Sequence, residues 1–278
     1  MKNSEILITA STGNIGAPLS KALNKKNIPF TAATRNAKQA SETLGFKPDT
    51  VYLDYRDPSG FAEAIKGVKT LFLCGPSATP GAEKLLKPII EEANKQEVKH
   101  VVFIASYPDI MDYIEKSDMN HTFLRANFFM QNFEMYQTED IRDKNQIFFP
   151  TGEGKAPFIH CRDIGEVAAE VIQNLEIYAG ETLYLTGPEL LDHNEVADIF
   201  SEVLDRKITY TNPDDDTYRK EMKDRGFSSE YIEAMIAVFG KIKKGSVAKK
   251  SDMVEKVLGR KPLNLRDYIE ENRDVFTK

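Results

Sequence analysis

Residues 9–19 read T-A-S-T-G-N-I-G-A-P-L and follow the apolar triplet Ile6, Leu7, Ile8. Two glycines, Gly13 and Gly16, stand where a strand pattern gives way to a helical one. Gly13 lets the backbone come close to a diphosphate, and Gly16 lets the helix pack close to the strand. The N–H groups of Asn14 and Ile15 then lie at the positive end of the helix, where an anion is favoured. Pro18 limits where that helix begins, because a deeper proline would remove a backbone hydrogen bond. One position departs from the usual dinucleotide fingerprint: Ala10 stands where a first glycine is common. Alanine is tolerated there if its φ is negative and clashes if φ is positive. The competing reading is an ordinary strand–turn–helix built from small residues. Its place after the first strand and before a long helix favours a nucleotide.

The second strand pattern ends in Thr34-Arg35-Asn36, with no carboxylate to hold ribose hydroxyls. An arginine fork suits a 2′-phosphate, which an acidic residue would repel. Arg35 alone would read as a solvated surface residue; its position raises the functional reading. Asp54, in LDYRDP, is suited to accept from an adenine amine or to cap the helix that follows. Other chemistry finds no support. His100, His121, His160 and His193 are scattered, and no Cys pair or His pair has metal-ligand spacing. No G-x-S-x-G elbow or phosphate-loop motif occurs, despite TGEGKAP at 151–157. His160 reads as a core histidine near the end of a strand, and Asp163 as a helix cap. Cys74 and Cys161 sit in apolar runs and read as buried small residues.

The elements that must position these residues alternate. Strand patterns at 5–9, 29–34, 50–54, 69–74, 99–106 and 121–125 are separated by helical ones at 14–26, 36–44, 58–66 and 81–97. Several strands are apolar on consecutive residues, as strands covered on both faces are. The pattern predicts an α/β chain: a Rossmann-type doubly wound parallel sheet with a smaller, mostly helical C-terminal domain. Residues 1–150 form the NAD(P)-binding domain and 151–278 the smaller substrate-capping domain, with a strand at 181–186 returning to the sheet. Helices are expected near 128–140, 163–175, 192–204, 214–225, 228–243 and 264–275, and a strand at 207–211.

The chain has 278 residues and a net charge of −6. No Lys/Arg stripe stands out, which argues against direct contact with nucleic acid or an anionic membrane. The start MKNSEILI lacks an apolar signal core, and no run nears the ~20 residues of a spanning helix. A cytoplasmic protein, monomer or homodimer, is expected.

STGNIG, Arg35, LDYRDP, the strand-end CGP at 74–76, TFLRANFFMQNF at 122–133, LTGPELL at 185–191 and the C-terminal VEKVLGRKPLNLRDYIEENRDVF together resemble the NmrA-like family of atypical short-chain dehydrogenase/reductases. Within it, the chain looks nearest to bacterial NADPH-dependent quinone and triphenylmethane-dye reductases. The family also includes regulators that bind the dinucleotide without turning it over. The resemblance implies NADP(H) as cofactor. It places Ala10, Ser11, Thr12, Gly13, Asn14 and Ile15 on the diphosphate and Arg35 on the 2′-phosphate. Asp54 and Tyr55 would flank the adenine, and Cys74, Gly75 and Pro76 would pass under the adenosine ribose. Ala105, Ser106, Asn127 and Phe128 would lie beside the nicotinamide. Tyr107, Phe129 and Asn132 are then the candidates to line a substrate slot. Against this, FFMQNF at helical spacing also reads as core packing.

The sequence departs from short-chain dehydrogenases in the helix after the fifth strand. There a Tyr and a Lys four residues on usually supply the proton. Here Tyr113 is followed at i+4 by Ser117, Lys116 is only at i+3, and no catalytic residue can be named. A ketoreductase needs a positioned acid; a planar acceptor such as a quinone does not. The sequence therefore predicts hydride transfer from NADPH to a planar aromatic small molecule. The alternative is an NADP(H)-binding sensor without turnover, and a sugar-nucleotide or isoflavonoid-type enzyme lacks its acid/base pair.

Overall fold

A computed structural model describes residues 4–76, 79 and 81–277. The elements run β1 (Ile6–Ile8), α1 (Gly16–Lys25), β2 (Thr31–Thr34), α2 (Ala37–Leu44), β3 (Asp49–Tyr52), α3 (Phe61–Ile65), β4 (Thr70–Leu73), α4 (Ala82–Lys95), β5 (His100–Ile104), α5 (Pro108–Glu115) and β6 (Asn120–Ala126). Then follow α6 (Gln131–Lys144), β7 (Gln146–Phe148), α7 (Cys161–Gln173), α8 (Leu175–Tyr178), β8 (Thr182–Leu185), α9 (His193–Leu204), β9 (Thr209–Thr211), α10 (Asp215–Asp224) and α11 (Ser229–Lys243). Short helices at Met253–Leu258, Leu265–Glu271 and Arg273–Phe276 end the chain.

Seven strands form one sheet in the order β3-β2-β1-β4-β5-β6-β8. The pairs from β3 through to β6 are parallel. The Phe123 N–H donates to the Glu181 carbonyl and the Asn127 N–H to that of Leu185, so β8 advances with β6 and is parallel too. Every residue of β4 and β5 is buried, as their unbroken apolar runs require. β3 sits at an edge and is mostly exposed. The order reverses between β1 and β4, and ligands of open α/β sheets bind at such a switch point, beyond the carboxyl ends of the strands.

The chain divides into two units. The first contains the sheet, with residues up to Ala126 and Cys161–Tyr184. Its α1 packs on α7, where Gly165 lies against Pro18 and Leu19. The second contains Asn127–His160 and the chain after β8. In its core Phe133, Phe149 and Phe158 pack on His193, with Phe200 against Phe133 and Phe239 against Phe149. A two-stranded parallel sheet, β7 with β9, also belongs to it. This division differs from one at residue 150. The chain leaves the sheet unit when β6 ends, and the whole of α7 returns to cover α1. The 207–211 strand is present as β9; its partner β7 is three residues long, too short to show a period.

Candidate nucleotide-binding site

The turn after β1 is built on Ala10, whose φ is +48°. This is the left-handed region where glycine is at ease and alanine is strained. Alanine is therefore present in the conformation that the sequence reading held to be costly. Its carbonyl accepts the Gly13 N–H at 2.9 Å. The same carbonyl explains Gly16: a Cβ there would lie 2.1 Å from it. Gly16 thus serves the turn's own closure more than helix–strand packing. Gly13 is exposed, and a Cβ on it would meet that carbonyl at 3.2 Å and the Ala10 Cβ at 3.9 Å.

Helix α1 begins with Ile15 as N-cap, without a side-chain cap and without an acidic residue in its first turn. Among the described residues, the N–H groups of Asn14 and Ile15 have no backbone acceptor in the protein. An anion at this end would meet unsatisfied donors and the positive end of the dipole. Ser11 does not contribute its hydroxyl, which is buried and donates to the Ala33 carbonyl at 2.9 Å, tying the turn to β2.

The rim across the switch point is pinned by a residue that sequence reasoning passed over. The Thr9 hydroxyl donates to the Phe72 carbonyl at 2.9 Å and accepts the Cys74 N–H at 3.0 Å. It locks the end of β1 to the end of β4. Two tyrosines hold the next residues: Tyr55 donates to the Cys74 carbonyl at 2.8 Å, and Tyr107 to the Pro76 carbonyl at 2.5 Å. Gly75 leaves room for the Tyr107 ring, 3.2 Å from where its Cβ would be. Burial drives the Tyr55 hydroxyl's pKa well above its ordinary value. Tyr55 can offer a ligand its ring but not a proton. Loss of surrounding water likewise pushes the Cys74 thiol up to about 12, so it stays protonated.

The ends of β2 and β3 carry the polar candidates. Arg35 is exposed and makes no ion pair among the described residues. Asn36, next to it, caps α2 by accepting from the Lys38 and Gln39 N–H groups. The Asp54 carboxylate accepts the Arg56 N–H at 2.9 Å and so closes a turn, with its second oxygen left for another donor. Ala105 and Ser106 follow β5, half-buried and exposed respectively.

Helix α5 has only eight residues. The Tyr113 hydroxyl donates to Glu91 on α4 at 2.8 Å, and Lys87 lies over its ring. That acceptor bond raises its pKa further, which makes it a poorer acid. In the second unit, Asn127 and Phe128 are half-buried; the Phe128 N–H binds the Asn127 side chain at 2.9 Å. The run FFMQNF divides cleanly. Met130 and Phe133 are core and Phe128 packs against it, whereas Phe129 and Asn132 are half-buried outside it. The His160 side chain lies within 3.4 Å of Gln131 and edge-on to Tyr268. His193 is fully packed, with Nδ1 2.8 Å from the Thr151 hydroxyl. Among the described residues no group of His, Cys, Asp or Glu could hold a metal ion, and no helix is long and apolar enough to cross a membrane.

Residues 88–270 match the NmrA-like family, and residues 10–110 match an NAD(P)H-binding family. Prestalk A differentiation protein A of Dictyostelium discoideum is 27% identical, over 96% of this chain and 91% of its own. An NAD(P)H azoreductase of Xenophilus azovorans is 28% identical, over 98% of this chain and 99% of its own. Among solved structures, an NADPH-dependent quinone oxidoreductase of Escherichia coli complexed with NADPH has a TM-score of 0.86 at 19% identity, covering 96% of this chain and 99% of that one. NmrA, a negative transcriptional regulator in complex with NADP, has a TM-score of 0.77 at 14% identity, covering 98% and 95%. These two structural likenesses establish the fold.

Proposed function

The chain belongs to the NmrA-like family, and from that premise we propose that it is an NADPH-dependent oxidoreductase acting on a planar aromatic acceptor such as a quinone. The residues fit the cofactor. An uncapped α1 N-terminus beside the exposed Gly13 suits a diphosphate. Arg35, exposed and without an ion pair among the described residues, suits the 2′-phosphate and so favours NADPH over NADH. Asp54 has a carboxylate oxygen to spare for an adenine amine. NADPH, when bound, supplies a hydride: with one proton from water it converts a quinone to a hydroquinone, leaving NADP⁺.

The observation that carries the reading is the eight-residue α5, whose Tyr113 hydroxyl is given to Glu91. Reduction of a simple ketone leaves an alkoxide that needs a positioned acid, typically worth 10²–10⁴ in rate. A hydroquinone anion is stable enough for solvent to protonate. The protein then needs only to hold a flat ring in place, which proximity rewards. The half-buried Tyr107 ring, in the same unit as the nucleotide turn, is suited to a flat wall. The same lack of an acid favours a second reading, an NADP(H)-binding sensor without turnover. Steady-state NADPH oxidation with a panel of quinones, dyes and simple ketones separates them. Turnover of quinones but not ketones supports the first. Tight NADPH binding with no turnover on any acceptor supports the second.

A further inference from the structure

The rim after β4 leaves its polar backbone groups unevenly answered. Cys74, Gly75 and Pro76 carry two N–H groups and three carbonyls, since proline has no N–H. The Cys74 N–H goes to the Thr9 hydroxyl, the Cys74 carbonyl to Tyr55 and the Pro76 carbonyl to Tyr107. The groups that remain both belong to Gly75. Its N–H has no acceptor among the described residues, and its carbonyl meets only the Cys74 thiol, a weak donor at 3.7 Å. Gly75 is half-buried, where unanswered backbone groups are costly. One ligand hydroxyl can answer both, by accepting from the N–H and donating to the carbonyl.

The two tyrosines reach this rim from opposite sides. In the strand order β3-β2-β1-β4-β5, Tyr55 follows β3, on the β1 side of the switch point. Tyr107 follows β5 and is the N-cap of α5. Both rings pack against one buried cluster, which includes Leu73, Leu86 and Phe103. Packed rings have little freedom left to lose, so each hydroxyl is offered at a fixed place. The glycine at 75 makes room for this: a Cβ there would lie 3.2 Å from the Tyr107 ring and 2.9 Å from Leu86. The rim, both tyrosines and the turn after β1 all belong to the first unit.

We infer that Tyr55 and Tyr107 are positioning residues for the cofactor: their hydroxyls fix the rim from both sides before a nucleotide arrives and leave the Gly75 peptide as its contact there. The inference rests on the nucleotide-binding reading of the switch point. The hydroxyls act through the backbone that they hold, and a wall held in advance raises affinity by cutting the ordering cost of binding.

Titration calorimetry with NADPH on Tyr55→Phe, Tyr107→Phe and the double variant tests it, since each change keeps the ring and removes only the hydroxyl. Each single change should weaken NADPH about three- to tenfold, the scale of one hydrogen bond. Because both hydroxyls hold the same short segment, the double variant should be weaker than either single one but fall well short of the product of the two effects. Single variants that bind as tightly as the unmutated protein, or a double variant at the full product, overturn the inference. Should a variant lose its melting transition, amide hydrogen exchange on the unmutated protein decides alone. Without NADPH the Cys74 amide should already be protected and the Gly75 amide should not; saturating NADPH should then protect Gly75. A Cys74 amide protected only once NADPH binds, or a Gly75 amide that NADPH leaves unprotected, overturns the inference. Failure of the unmutated protein to take NADPH overturns the nucleotide reading itself, whereas indifferent variants of a protein that does take it leave that reading standing.

Discussion

Ala10→Gly should make the protein more stable without making it a noticeably better nucleotide binder. Ala10 has φ of +48°, in the left-handed region. There an L-residue with a Cβ costs roughly 1–2 kcal/mol, while glycine adopts the same backbone freely. Against this, glycine loses more conformational freedom on folding, about 0.5–1 kcal/mol relative to alanine. The balance is a gain of up to about 1.5 kcal/mol. For a chain of this size each kcal/mol raises Tm by about 2–4 °C. Nothing else in the turn needs to change: the Ala10 carbonyl still accepts the Gly13 N–H and still lies over Gly16. The donors at Asn14 and Ile15 stay where they are, so NADPH affinity should change by less than about threefold. Differential scanning calorimetry and titration calorimetry read the two quantities. A lower Tm would show that the Cβ packs usefully and that this packing outweighs the backbone strain. An affinity change beyond tenfold would show that the turn rearranges when it takes a ligand.

Gly13→Val should keep the fold, with the Ala10 carbonyl, 3.2 Å from the new Cβ, giving way by a few tenths of an ångström, yet should abolish NADPH binding in titration calorimetry by filling the anion site. Arg35→Ala should weaken NADPH by roughly ten- to a hundredfold, since a charge-assisted hydrogen bond contributes about 1.5–3 kcal/mol, and leave NADH nearly unchanged; competitive binding measurements read the pair. Acid stability should begin to fail early. Burial lowers the pKa of His193 to about 3 and that of His100 to about 4, in the latter case with His121 adding repulsion. Below pH 6.5 the unfolded chain binds protons at these histidines that the folded one does not, so stability falls as pH drops from about 6.5 towards 4. Urea unfolding at a series of pH values should show that decline, and His193→Gln should flatten part of it.

The sheet was legible because its strands are buried on both faces, and that writes itself into consecutive apolar residues such as VVFI before Ala105. The glycine turn was legible as a motif but not in its details. Which carbonyl Gly16 must clear depends on the sign of one backbone angle at Ala10, and alanine does not announce that angle. The pins on the rim were not legible at all. Thr9 reaches Phe72 and Cys74, and Tyr107 reaches Pro76. Those contacts join residues far apart in the chain, and a single hydroxyl leaves no periodic trace. The run FFMQNF gave an ambiguous signal for a physical reason: a helix start that buries Met130 and Phe133 has the same spacing whether or not Phe129 and Asn132 stay outside the core.

The central claim is that this chain reduces a flat acceptor with NADPH and needs no acid from the short α5. Turnover of 1,2-naphthoquinone by the unmutated protein and by Tyr113→Phe, with kcat measured at saturating NADPH, tests it most directly. Removing a hydroxyl that only binds Glu91 should leave kcat within about twofold of the unmutated value. A loss of a hundredfold or more, the scale of a missing general acid, would show that Tyr113 supplies the proton and would contradict the account.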